Sequence, residues 1–341
     1  MPMHAPDATD LDVLGLGNAI VDILTEADDR TLERLDLAKG TMTLVDEARI
    51  AELYAGIGPA VEVSGGSCAN TMAALASLGA RAAYVGKVQR DQLGEVFGHD
   101  IRAVGVAFDT PPLDDGPPTA RCLILVTPDA QRTMATYLGA CVELGPDDVD
   151  EATVAAARIT YLEGYLWDRP NAKEACLKAA ELAHRHGRQV ALTLSDPCCV
   201  ARWRAEFADL IAHHADIVIA NEVEICSLYG ANSFDDVIDV VRSQTRIAAL
   251  TRGAEGSVIV AGDQTHVLPA APIAALVDTT GAGDLYAAGL LYGLTHDLPL
   301  AACGRLASLS AAHILSHYGA RAAMPLKPLV AAAGSLASEA H

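Results

Sequence analysis

From Asp147 onward the chain alternates between two patterns. A helical pattern over 148–157 precedes an apolar strand pattern over 159–162. Helix 171–186 precedes strand 189–194, and helix 200–213 precedes strand 217–220. Strands separated by helices run parallel and are covered by helices on both faces. The expected fold class is therefore α/β. The chain has 341 residues, a length that two ordinary domains or one large α/β domain would fill. Since 51% of its residues are apolar and only 4% aromatic, Ala, Leu and Val must fill the core.

The first half is less regular. A short strand over 12–16 ends at Gly15-Leu16-Gly17, but Ile20 stands where a dinucleotide fold needs its third glycine. Asn18 and Asp22 flank the extended piece Ala19-Ile20-Val21. Asp22 is open to two readings: a surface residue closing a strand, or a ligand contact at a strand's C-terminal end. A strand over 61–64 runs into Gly65-Gly66, followed by an Ala-rich helix over 67–78 that carries Ser67 and Asn70 in its first turn. This is either an ordinary β–α turn or a place where backbone N–H groups approach a ligand. Asp46 is a good cap for a helix to about Tyr54. Residues 111–118 are rich in Pro, Asp and Gly and form a loop; 120–127 and 132–137 form a hairpin. Arg132 in that hairpin is a solvated charge or a phosphate contact, and Leu138 reads as core.

Two stretches in the second half concentrate polar chemistry. Asn221-Glu222-Val223-Glu224 follows directly on a strand. It reads as a capped helix start or as a metal-positioning group. The string Val277-Asp278-Thr279-Thr280-Gly281-Ala282-Gly283-Asp284 lies between an apolar segment over 270–277, expected to be extended, and a buried helix over 285–294. Gly281 and Gly283 permit a tight turn, and the free N–H groups of a helix start make a seat for phosphate. Asp284 beside that seat is either a first-turn helix charge or a base for an attacking hydroxyl.

The D-T-x-G-A-G-D string resembles the signature of the ribokinase-like, or PfkB-type, carbohydrate and nucleoside kinases. The resemblance implies that Asp284 is the catalytic base and that Gly281, Ala282 and Gly283 form the anion hole. G-N-A-I-V-D over 17–22 resembles the opening of adenosine kinases, which implies that Asn18 and Asp22 lie at the ribose. G-G-S-x-x-N implies that Gly65, Gly66, Ser67 and Asn70 bind substrate, and Arg132 and Leu138 are drawn toward the substrate by the same comparison. N-x-x-E implies that Asn221 and Glu224 position Mg²⁺ near the nucleotide. Thr251 and Gly253 resemble a nucleotide-contact loop. The implied fold is a three-layer α/β/α sandwich over 11–330, with a small β-strand lid formed by inserts at about 23–46 and 110–138.

The expected function is ATP-dependent phosphorylation of the primary (5′) hydroxyl of a ribonucleoside, foremost adenosine to AMP in purine salvage. A PfkB-type sugar kinase is the alternative, since Ser195-Asp196-Pro197 resembles a sugar-kinase segment. A non-catalytic nucleoside-binding sensor is a further one. No P-loop pattern is present, which disfavours that class of kinase. A net charge of −20 argues against nucleic acid or an anionic membrane as partner, leaving a small molecule and ATP. The eight cysteines include no C-x-x-C pair and read as free thiols in a reducing compartment. The first ten residues carry no signal pattern, so a cytoplasmic monomer or homodimer is expected.

Overall fold

The computed structural model describes residues 10–335 apart from 130, 274 and 323. The strands are β1 (Leu11–Leu16), β2 (Ile20–Glu26), β3 (Met42–Leu44), β4 (Val61–Gly65), β5 (Ala82–Val85), β6 (Ala120–Val126), β7 (Arg132–Tyr137), β8 (Ala157–Glu163), β9 (Gln189–Thr193), β10 (Ile217–Asn221), β11 (Ile247–Thr251), β12 (Ser257–Ala261) and β13 (Gln264–Leu268). The helices are α1 (Asp29–Arg34), α2 (Glu47–Gly56), α3 (Ser67–Leu78), α4 (Gln92–Ala103), α5 (Glu151–Ala156), α6 (Pro170–Arg185), α7 (Pro197–His213), α8 (Glu222–Tyr229), α9 (Phe234–Gln244), α10 (Ala282–Thr295), α11 (Leu300–Leu315) and α12 (Lys327–Ser335).

Eight strands form the main sheet in the order β13-β12-β11-β10-β9-β8-β1-β5. From β11 to β5 the neighbours are parallel, while β12 and β13 close the far edge as an antiparallel hairpin. Alternation along each strand divides the core into two layers. Val13, Ile159, Tyr161, Ile217 and Ala249 pack with α3, α10 and α11 on one face. Leu14, Leu162, Leu192, Val218 and Leu250 pack with α6 to α9 on the other. The fold is the three-layer α/β/α sandwich expected.

A second sheet of five strands has the order β3-β7-β6-β2-β4. Asp22 belongs to this sheet, inside β2 and opposite Val63 and Cys122 on its neighbours. It does not close a leading strand of the main sheet. The short apolar piece visible at 19–21 is the start of a seven-residue strand whose burial alternates. The strand ending at Gly65 also joins this second sheet.

The described residues of the apolar stretch over 270–277 form no strand. Pro269 and Pro272 interrupt any continuation of β13, because each lacks an N–H for a ladder. Val277 instead donates to the Leu315 carbonyl at the end of α11 (2.8 Å), and Ile273 and Leu276 remain exposed.

Candidate active site

Helix α10 starts at Gly281, whose φ is +75°. A side chain there would be strained by the backbone and would meet Ala320 at 2.9 Å. The first amides of α10 have no acceptor within the helix and point out of its positive end. Asp284 stands in this first turn. Its Oδ1 accepts from Ser67 Oγ (2.6 Å) and its Oδ2 from Asn70 Nδ2 (3.1 Å). Thr71 Oγ1 donates to its backbone carbonyl (3.2 Å). Three side chains on one face of α3, at i, i+3 and i+4, are thus keyed to one residue of α10. Burial pushes the Asp284 carboxyl up to about 6, against the pull of Ser67, Asn70 and Arg321. Such a group is ionised at neutral pH yet basic enough to take a proton. Asn70 Oδ1 is buried with no partner among the described residues, leaving an acceptor for a ligand hydroxyl.

Asp22 faces the same group from the second sheet. Burial pushes it up to about 7; Arg321 lowers it and the Asp284 charge raises it. Gly65 makes room for it, since a Cβ at that position would lie 2.3 Å from the Asp22 carboxylate. Gly66 has a φ of +92° and caps α3 against the Asn18 carbonyl. The structure therefore brings Asp22, Gly65, Gly66, Ser67, Asn70 and Asp284 together.

Other residues singled out in the sequence have different neighbours. Asn18 is buried, and its Nδ2 donates to Glu163 Oε1 (2.9 Å). Glu163 Oε2 accepts from Cys68 N (2.9 Å), so this carboxylate joins the β1–β2 turn to the head of α3. Burial pushes Glu163 up to about 7, while the Cys68 and Asn18 donors pull it down. Arg132 pairs with Asp278 (Nε to Oδ1, 2.7 Å) and donates to Thr279 Oγ1 (3.0 Å). Leu138 is half-buried ahead of the turn Gly139–Glu143. Asn221 and Thr251 are register partners at the carboxyl ends of β10 and β11, and Gly253 opens the turn that follows.

Glu224 is a helix-capping residue. Its Oε2 accepts from Asn221 N (2.9 Å) and its Oε1 from Asn221 Nδ2 (2.6 Å), while Asn221 Oδ1 accepts from Glu224 N (2.8 Å). Burial pushes it up to about 7. Both its oxygens are engaged and its residue is 5% exposed, which speaks against direct ligation of Mg²⁺ by Glu224. Among the described residues no group of three His, Cys, Asp or Glu could hold a metal ion. A Mg²⁺ ion arriving with the nucleotide would keep phosphate oxygens and water as its ligands.

Glu163 and Arg321 were missed in the sequence. Glu163 ends a strand and follows Tyr161-Leu162 with no polar neighbour to mark it, and Arg321 lies in a C-terminal stretch outside every motif.

The model of the pfkB family carbohydrate kinases matches residues 58–327. The chain belongs to the PfkB family. Two solved structures resemble this PfkB protein over nearly its whole length. A probable sugar kinase from Rhizobium etli CFN 42 is 48% identical, covers 96% of this chain and 99% of its own, and has a TM-score of 0.89. An adenosine kinase from Sinorhizobium meliloti is 50% identical, with coverages of 97% and 99% and a TM-score of 0.87. The 5-dehydro-2-deoxygluconokinase of Geobacillus kaustophilus is 26% identical over 76% of this chain and 81% of that protein. Family membership makes this PfkB protein a phosphotransferase with an alcohol acceptor and a small-molecule substrate, and it implies ATP use. Among the described residues no helix is long and apolar enough to cross a membrane.

Proposed function

We propose that this kinase transfers the γ-phosphoryl group of MgATP to the 5′-hydroxyl of a ribonucleoside, with adenosine as its main acceptor. The observation that carries this reading is the Asp284 carboxylate, held by Ser67 and Asn70 at the mouth of an amide-lined helix start. Asp284 takes the hydroxyl proton as the oxygen forms its bond to phosphorus and ADP leaves. The first amides of α10 accept the charge that gathers on the phosphoryl oxygens. Asp22 accepts hydrogen bonds from the vicinal 2′ and 3′ hydroxyls. Thr251 and Gly253, at the ends of β11 and its turn, bound the nucleotide side. Mg²⁺ bound with ATP would neutralise phosphate charge.

A nucleoside suits the second sheet better than a free sugar does. Two residues along from Asp22, Cys122 and Thr136, the same face carries Leu24, Ile124 and Met134 in register, and Met42 beside Met134. This apolar row next to a diol-binding carboxylate suits a ring system attached to ribose. The high identity to the Sinorhizobium meliloti adenosine kinase points the same way. The sugar-kinase reading is favoured by the gluconokinase relative and the Rhizobium etli protein.

A panel of adenosine, other nucleosides, ribose, fructose and 5-dehydro-2-deoxygluconate, read as ADP formed from MgATP, tests the proposal. Turnover of adenosine well above the sugars is expected. Turnover of a sugar with no nucleoside turned over overturns the acceptor, and adenosine binding without any ADP identifies a sensor instead.

A further inference from the structure

If Asp284 is the base, as proposed above, the site has a charge problem. Asp22 and Asp284 are two carboxylates facing one space, and the Asp284 charge raises the cost of ionising Asp22. The groups facing Asp284 are Asp22 from β2, Ser67, Cys68 and Asn70 from α3, Tyr161 and Glu163 from β8, Tyr165 just beyond it, and Arg321 from the segment after α11. Of these, Arg321 alone is cationic.

The guanidinium of Arg321 donates to neutral acceptors. Nε and Nη2 donate to the Ser64 carbonyl (2.9 and 2.6 Å), Nη2 also to Ser64 Oγ (2.8 Å), and Nη1 to the Ala69 carbonyl (3.0 Å). Ser64 and Ala69 bracket the Gly65-Gly66 turn and the head of α3. On its other side, Ser64 donates through N and Oγ to Asp100 Oδ2 (2.7 and 2.5 Å), which fixes the orientation of its hydroxyl. The fork therefore grips the backbone that shapes the acceptor site. Among the described residues no carboxylate pairs directly with it, and its charge acts across space on Asp22, Asp284 and Asp100. Guanidinium remains charged throughout the working range of an enzyme, so this field is constant.

We propose that Arg321 is a positioning residue for phosphoryl transfer, its fork pinning the Gly65-Gly66 turn to α3 and its fixed charge setting the electrostatics of the Asp22–Asp284 pair. The two parts separate under substitution. Arg321→Gln keeps hydrogen-bond donors near Ser64 and removes the charge. Arg321→Lys keeps the charge and loses the planar fork.

The experiment measures kcat/KM against pH, from about pH 5 to about pH 9, for the parent and both variants with the acceptor that the parent turns over. In Arg321→Gln the acid limb moves to higher pH by about one unit, because removing a nearby cation raises a carboxyl pKa. In Arg321→Lys the limb stays near the parental position, while KM for the acceptor rises several-fold, about 3- to 10-fold. An unmoved limb in Arg321→Gln overturns the proposal. Should that variant not accumulate as folded protein, Arg321→Lys decides alone: a limb shifted by about a full unit despite the retained charge overturns it. Asp284→Asn separates this inference from the one it rests on. Parental turnover in Asp284→Asn removes the base itself, whereas an inactive Asp284→Asn with an unmoved Arg321→Gln limb removes only the role of Arg321.

Discussion

Arg132 Nε lies 2.7 Å from Asp278 Oδ1, so an ion pair ties the second sheet to the residue that opens the D-T-T-G-A-G-D string. The Asp278 side chain is 3% exposed, and its remaining capacity is used by Thr280 N (2.8 Å), Thr280 Oγ1 (2.7 Å) and Gly319 N (2.9 Å). Arg132→Ala would leave this carboxylate buried without its counter-charge, a change that costs about 3 kcal/mol. Denaturant unfolding is expected to report that loss. The double variant with Asp278→Asn should lose less than the sum of the two single changes, since the interaction is shared. Strict additivity would show that the pair is not coupled.

Asp284→Asn keeps the size of the side chain and two hydrogen-bonding atoms for Ser67 and Asn70. It cannot accept the hydroxyl proton as a carboxylate does. A fall in kcat of about 10²–10⁴-fold is expected, the usual contribution of a general base, with thermal stability near that of the parent. Steady-state turnover together with a melting curve checks both halves.

Gly65→Ala sets a methyl group 2.3 Å from the Asp22 carboxylate, so the carboxylate must turn away. The main effect falls on acceptor binding: KM for the acceptor rises about tenfold, with KM for ATP little changed. Gly58→Ala, where a Cβ meets nothing within 4 Å, is the control and should leave both constants alone.

The pH dependence of stability has an unusual sign. Burial raises Asp22, Glu163 and Glu224 to about 7 and Asp284 to about 6, above their ordinary 3.8 and 4.5. Between those ordinary values and the raised ones, the folded chain binds more protons than the unfolded chain, so stability grows as pH falls through this window. Below about pH 4 the trend reverses, because Asp28, Asp129 and Asp150 are held low by their partners and lose those contacts on protonation. Ligand-free protein is expected to melt at a higher temperature at about pH 6 than at about pH 8. A Tm that stays level or rises from about pH 6 to about pH 8 would mean these carboxylates are solvated.

Much of the layout was legible because local rules decide it. Helix α3 begins at Ser67 after two glycines, α2 is capped by Asp46 (Oδ1 accepting from Arg49 N, 2.8 Å), and the 120–137 hairpin pairs in antiparallel register. Asp22 was legible as a ligand candidate, but not as a strand interior, because membership of the second sheet depends on β4 and β6 arriving from other parts of the chain. Asn221 and Glu224 carried two readings in the sequence. The coordinates show the capping box; a metal-positioning pair would use the same residues at the same spacing. Arg132 was drawn toward phosphate by resemblance, and the coordinates show its Nε paired with Asp278.

Periodicity and turn residues alone thus determined the parallel sheet, the helices on its two faces and the glycine entries to α3 and α10, because each is set by neighbours within a few residues. The D-T-T-G-A-G-D string marked the family. Tertiary structure decided which charges meet. Glu163, Asp278 and Arg321 act on partners far along the chain, and their burial, which raises or neutralises those charges, exists only once the layers have packed.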